Sequence, residues 1–147
     1  MTRSIRSILG ATLLEVMLVL SIVGLIILMS VKYYQSATSS SQIQQVMGLV
    51  QAITSAADNI AASGTGYTTS NLTTSNIKAI AGANALNTPW GSTVAITAGG
   101  SNSYTVSIPS VPQGVATIIC LKLKVNTKYT SPTCSGGTVS YTYNASS

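Results

Sequence analysis

The sequence predicts an α+β fold in which one long N-terminal helix is packed on a small antiparallel β-sheet. Three observations carry this. From Leu13 to Val31 the chain is apolar except for Glu15 and Ser21. From Ser41 to Ala62 apolar residues recur at three- and four-residue spacing. After Gly66, short alternating segments are separated by Gly, Asn and Pro.

The opening stretch MTRSIRSILG carries Arg3 and Arg6 and no acid. At about 1.5 Å rise per residue, Leu13 to Val31 nearly covers a hydrocarbon core roughly 30 Å thick. One membrane-spanning helix is expected, with its N-terminus cytoplasmic because positive flanks stay inside. Everything after Lys32 then lies outside the cytoplasm. Ser36-Ala37-Thr38 is a poor version of the site a cleaved secretory signal would carry, so cleavage after the apolar run is not favoured.

The helix is expected to continue past the membrane. Ile43, Val46, Met47, Val50, Ile53, Ala57 and Ile60 form an apolar face, with Gln42, Gln44, Gln45, Gln51 and Asp58 between them. No proline precedes Pro89, so nothing forces a break. One helix from about Thr12 to Ala62 follows, ended by Ser-Gly-Thr-Gly at 63 to 66.

Beyond it, a short helix is expected at Ile77 to Ile80, then a turn at Asn87-Thr88-Pro89-Trp90-Gly91. Val94 to Thr97 and Tyr104 to Ile108 read as strands joined by Gly-Gly-Ser-Asn, a hairpin that buries Tyr104, Val106 and Ile108 on one face. Residues 112 to 125, PQGVATIICLKLKV, fit two patterns. Pro112 suits a first helical turn and Val115, Ile118, Ile119, Lys122 and Leu123 a helical face, while LKLKV alternates like a strand. Helix turning to extended chain near Leu123 is expected. Thr138 to Tyr143 reads as a final strand.

Composition narrows the function classes. Charged residues make up only 6% of the 147, and the net charge of +5 is spread thinly over Arg3, Arg6, Lys32, Lys78, Lys122, Lys124 and Lys128 against Glu15 and Asp58. A nucleic-acid surface would cluster such cations among stacking aromatics, so nucleic-acid binding is not indicated. The chain has no His, and its two acids are far apart, which leaves no ordinary general base or carboxylate pair. Two Cys and two acids make no metal set of normal spacing, and the pairs Gly99-Gly100 and Gly136-Gly137 lack the Lys-Ser/Thr of a phosphate loop. An enzyme is not expected, nor is a cofactor or a metal. A surface of Ser, Thr and Asn suits packing against copies of the same chain, as it also suits a low-charge extracellular domain.

Cys120 and Cys134 fall in the part placed outside the cytoplasm, where thiols oxidise. They are either a bridge or two buried thiols, and compartment and even count favour the bridge. A loop of that length contributes about 3 kcal/mol in the chain-entropy picture. The bridge would staple the C-terminal strand to the segment around Cys120; no Cys-x-x-Cys redox spacing is present.

Glu15 poses the sharper question. An ionised acid in hydrocarbon costs about 2.5 to 3.5 kcal/mol even on lenient insertion scales. Either it snorkels to the interface or it has a cationic partner. A cut between Gly10 and Ala11 would create an α-amino group four residues before it, and a neighbouring chain's amine could meet it. Charges about 4 Å apart at an effective dielectric near 20 attract by roughly 4 kcal/mol before desolvation.

A basic leader, Gly10, and then ATLLEVMLVLSIVGLIIL with Glu15 fifth after the glycine resemble the class III signal of type IV pilins and pseudopilins. YYQSATSSSQIQQVMGLVQAITSA, the TPWG turn and the Cys120 and Cys134 pair are similar in order and character to type IVb pilins, the bundle-forming kind especially. The ten-residue leader is nearer the type IVa length, and Ala11 stands where a larger residue is common.

The resemblance implies the type IV pilin fold, divided into a leader at 1–10, a hydrophobic helix at 11–35 for membrane and filament core, and a head at 36–147 that includes the rest of the helix. It implies a prepilin peptidase cutting between Gly10 and Ala11, N-methylation of Ala11, and storage as a single-pass inner-membrane protein. An ATP-driven pilus assembly machinery would then build a helical homo-polymer outside the cell, with Glu15 pairing with the adjacent subunit's amine and Cys120 to Cys134 enclosing the D-region. The function so implied is the major structural subunit of a type IV pilus, serving adhesion, aggregation, motility or conjugation. The alternatives are a pseudopilin of a type II-like secretion system, a minor pilin, and a plain membrane-anchored domain.

Gly24 is the weak helix former in the apolar run, at a cost of about 0.8 to 1.0 kcal/mol relative to Ala. Unwinding in a filament would begin there, unless the glycine serves close helix packing. Lys122, Lys124 and Lys128 read as a solvated face more readily than as a basic strip. Asn71-Leu72-Thr73 and Asn144-Ala145-Ser146 match the N-glycosylation pattern, which is frequent by chance in such a composition, and receive no role.

Overall fold

The computed structural model describes Arg6 to Ala145. The chain forms two compact units, one ending at Ser39 and one beginning at Ser40. Helix α1, Arg6–Ile60, supplies the first unit and opens the second.

In the second unit α1 turns one face inward. Ile43, Val46, Leu49, Val50, Ile53, Ala56, Ala57 and Ile60 are buried, which is the expected stripe with Leu49 and Ala56 added. Met47 packs on its margin. The helix gives way to a π turn over Ala61–Thr65, and Gly64 and Gly66 both take positive φ, at 113° and 66°. The glycines end the helix where the sequence placed its stop, because a residue with a Cβ resists that backbone.

Helix α2, Thr74–Ala81, begins a few residues before the expected position. Thr73 caps it: its hydroxyl accepts from the Asn76 N–H at 3.2 Å. Only Ile77 of this helix is fully buried. The turn at Asn87 to Gly91 is present, closed by the Thr88 N–H donating to the Ser92 carbonyl at 2.8 Å.

Strands β1 (Ala95–Ala98), β2 (Ser103–Ile108), β3 (Tyr129–Ser135) and β4 (Thr138–Asn144) form one antiparallel sheet in the order β1-β2-β4-β3. The expected hairpin is β1 and β2. Register sets Tyr104 opposite Tyr143, Val106 opposite Tyr141 and Ile108 opposite Val139. All six are buried on the face that shares a core with α1. The other face is a ladder of hydroxyls, with Thr105 bonded to Thr142 at 3.1 Å and Thr133 to Ser140 at 3.0 Å.

Helix α3, Gln113–Val125, corrects one expectation: the chain does not become extended near Leu123. Val115, Ala116, Ile119, Cys120 and Leu123 line the buried face, so the LKLKV segment obeys the helical period and its alternation is incidental. Ile118, assigned to that face from the sequence, points outward instead.

Strand β3 is an addition to the elements expected from the sequence. Its Ser131-Pro132 pair sits at a break in register between Thr130 and Thr133, and Ser131 takes φ 50°. A bulge on an edge strand breaks the alternation that marks a strand and also blunts the edge. Gly136 and Gly137, both at positive φ, make the tight turn into β4.

Cys120 and Cys134 are bonded to each other. Cys134 lies on β3, so the bridge ties α3 to the edge strand next to the final one. Replacing both cysteines by Ala is expected to lower stability by about 3 kcal/mol, read as an earlier midpoint in urea with secondary structure otherwise retained.

Candidate functional site

Two arrangements concentrate chemistry, one in each unit. In the first unit the described side chains of α1 are solvent-exposed on all sides from Thr12 to Thr38. A helix apolar all round is stable only inside a protein or a bilayer, and α1 is long and apolar enough to cross a membrane. Its few hydroxyls are already matched: Ser21 Oγ donates to the Met17 carbonyl and Ser30 Oγ to the Ile26 carbonyl, both at 2.8 Å. Such back-bonding lets Ser enter hydrocarbon without an orphaned donor.

Glu15 has no comparable route. A carboxylate only accepts, and the N–H groups of a helix interior are committed to carbonyls one turn back. Because α1 is already helical at Arg6, Ala11 and Glu15 lie one turn apart, about 6 Å along the axis. Residues 1 to 5, with Arg3, lie outside the described residues, and of Gly10 and Ala11 only the helical backbone is described. Gly24 is inside α1, with nothing within 4 Å of where a Cβ would stand.

Tyr33 and Tyr34, which have no role in the expectations from sequence, are 82% and 75% exposed directly after Lys32. Tyrosines beside a lysine at the end of an apolar run are the usual occupants of a membrane interface, and that signal was available in the sequence.

In the second unit, five tyrosines gather under α1. Ring centroids lie 5.1 Å apart for Tyr67 and Tyr104, 5.0 Å for Tyr104 and Tyr143, and 5.2 Å for Tyr129 and Tyr141. The sequence placed Asp58 simply on a helix; the fold sets it against this cluster. Tyr67 Oη donates to Asp58 Oδ1 at 2.5 Å and Tyr143 Oη to Oδ2 at 3.3 Å, so one carboxylate ties α1 to the loop after it and to β4.

Burial pushes the Tyr67 phenol well above its ordinary value and raises that of Tyr143, and the bond to and charge of Asp58 push both further. Burial alone dominates at Tyr104 and Tyr141. In the unfolded chain these phenols ionise near pH 10, while the native state holds their protons. The stabilisation is therefore complete below about pH 10 and lost as pH rises beyond it. Urea midpoints should stay flat to about pH 9 and fall steeply above about pH 10. A phenolate absorbance titration completed before any loss of structure would refute the assignment.

No family model matches the chain, and no curated protein or solved structure matches it either.

Proposed function

We propose that the chain is the major structural subunit of a type IV pilus, whose work is polymerisation through its N-terminal helix. The observation that carries this reading is a fully exposed apolar helix holding one carboxylate a single turn after Gly10-Ala11. A bilayer satisfies every other described side chain of that segment; the carboxylate asks for a cation, and cleavage after Gly10 supplies one on each copy. The disulfide-bridged head then forms the outer surface of the filament.

On this reading a prepilin peptidase cuts between Gly10 and Ala11, the new amine is methylated, and the subunit waits in the inner membrane with its head outside until the assembly machinery extracts it. The order of elements, long helix, hairpin, and a helix bridged to an edge strand, is compatible with a pilin-like fold. Intact mass and N-terminal sequencing of protein sheared from the cell surface test the proposal. A chain beginning at methylated Ala11 with one disulfide is expected. A chain that keeps residues 1 to 10 and stays with the membranes would leave only an anchored domain.

A further inference from the structure

We infer that the C-terminal half of α3 is a docking surface for an anionic phospholipid bilayer, the one its own anchor crosses; this rests on the spanning role proposed for α1. On this helix Ile118, Leu121 and Val125 recur at three- and four-residue spacing and point away from the core, the last two being 60% and 85% exposed. Lys122, Lys124 and Lys128 flank them and are all exposed. From Asn59 to Ala145 the chain carries these lysines and Lys78 and no acid at all.

Charge selects the occupant. A second copy of the head would bring its own lysines, and its single carboxylate, Asp58, is engaged by two phenols. An acidic polymer would satisfy the lysines and leave Leu121 and Val125 in water. An anionic bilayer answers both, with headgroups for the ammonium ends and acyl boundary for the apolar side chains. Each lysine near an anionic surface strengthens binding about fivefold, so three strengthen it about a hundredfold. That is modest for a free protein. It is sufficient for a head that begins at Ser40, shortly after the span, because the anchor holds it at high effective concentration beside the membrane.

The test places tryptophan at the most exposed apolar position. Full-length Val125→Trp is reconstituted into vesicles with brominated acyl chains, made of phosphatidylcholine alone or mixed with phosphatidylglycerol, and the parent, with Trp90, gives the background. Quenching of the added tryptophan in the anionic vesicles is expected, severalfold above that in neutral ones. It should be abolished by combined Lys122→Gln, Lys124→Gln and Lys128→Gln, and by about 1 M salt, where the Debye length falls to about 3 Å.

Equal quenching in both lipids, or none in the anionic ones, overturns the inference. So does shielding that follows the protein-to-lipid ratio, which would assign the surface to a second copy. Extraction at alkaline pH separates the premise from the inference. A chain that washes off refutes the span and with it the docking, whereas a chain that stays and is not quenched refutes the docking alone.

Discussion

Glu15→Gln is expected to leave the protein in the membrane and keep it out of filaments. The substitution preserves size and removes charge, so insertion of α1 becomes easier while attraction to a neighbouring amine is lost. That attraction is roughly 4 kcal/mol at contact distance before desolvation, and even a heavily discounted remainder lowers incorporation at least about tenfold. Quantifying sheared against membrane-bound protein reads the effect. Filaments at the normal level would show that Glu15 merely snorkels, and the pairing idea would fail.

Gly66→Ala should be the most damaging small change in the head. Gly66 sits at φ 66° and ψ −165°, a region open essentially to glycine alone. A Cβ there would stand 2.5 Å from the Ser101 carbonyl oxygen, which is backbone and cannot swing away. The same oxygen accepts the Tyr67 N–H at 3.1 Å, so any retreat pulls on the loop that aims Tyr67 at Asp58. A loss of about 3 kcal/mol or more is expected. Gly48→Ala, on α1 with open space around its Cβ position, should instead stabilise by about 1 kcal/mol. Chemical denaturation of the pair gives opposite signs for one chemical change; equal effects would contradict this placement of Gly66.

The elements legible in the sequence were those whose period is set by a single buried face. The stripe from Ile43 to Ile60 and the alternation Tyr104, Val106, Ile108 each face one core, so pattern and structure agree. Helix α3 was misread in its last turns because Leu121 and Lys122 to Val125 lie mostly outside the core, where no packing disciplines the sequence; of that stretch only Leu123 is buried. Strand β3 was invisible because its bulge at Ser131 interrupts alternation and its edge position asks little of its side chains.

The candidate sites divide the same way. Glu15 stood out because a charge in an apolar run violates composition locally. Asp58 did not, since its partners Tyr67 and Tyr143 are brought to it by tertiary structure that no local spacing encodes. Leu121 and Val125 were hidden for a related reason: exposure of an apolar side chain is a property of the fold, and the strand-like alternation of LKLKV sets both on the same side as the buried Leu123.

A density map of the assembled filament tests the central claim most directly. The Glu15 carboxylate of one copy is expected within hydrogen-bonding distance of the Ala11 amine of a neighbouring copy, inside a core made of α1 helices. A map in which Glu15 faces solvent, or meets only the amine of its own chain one turn away, would contradict it.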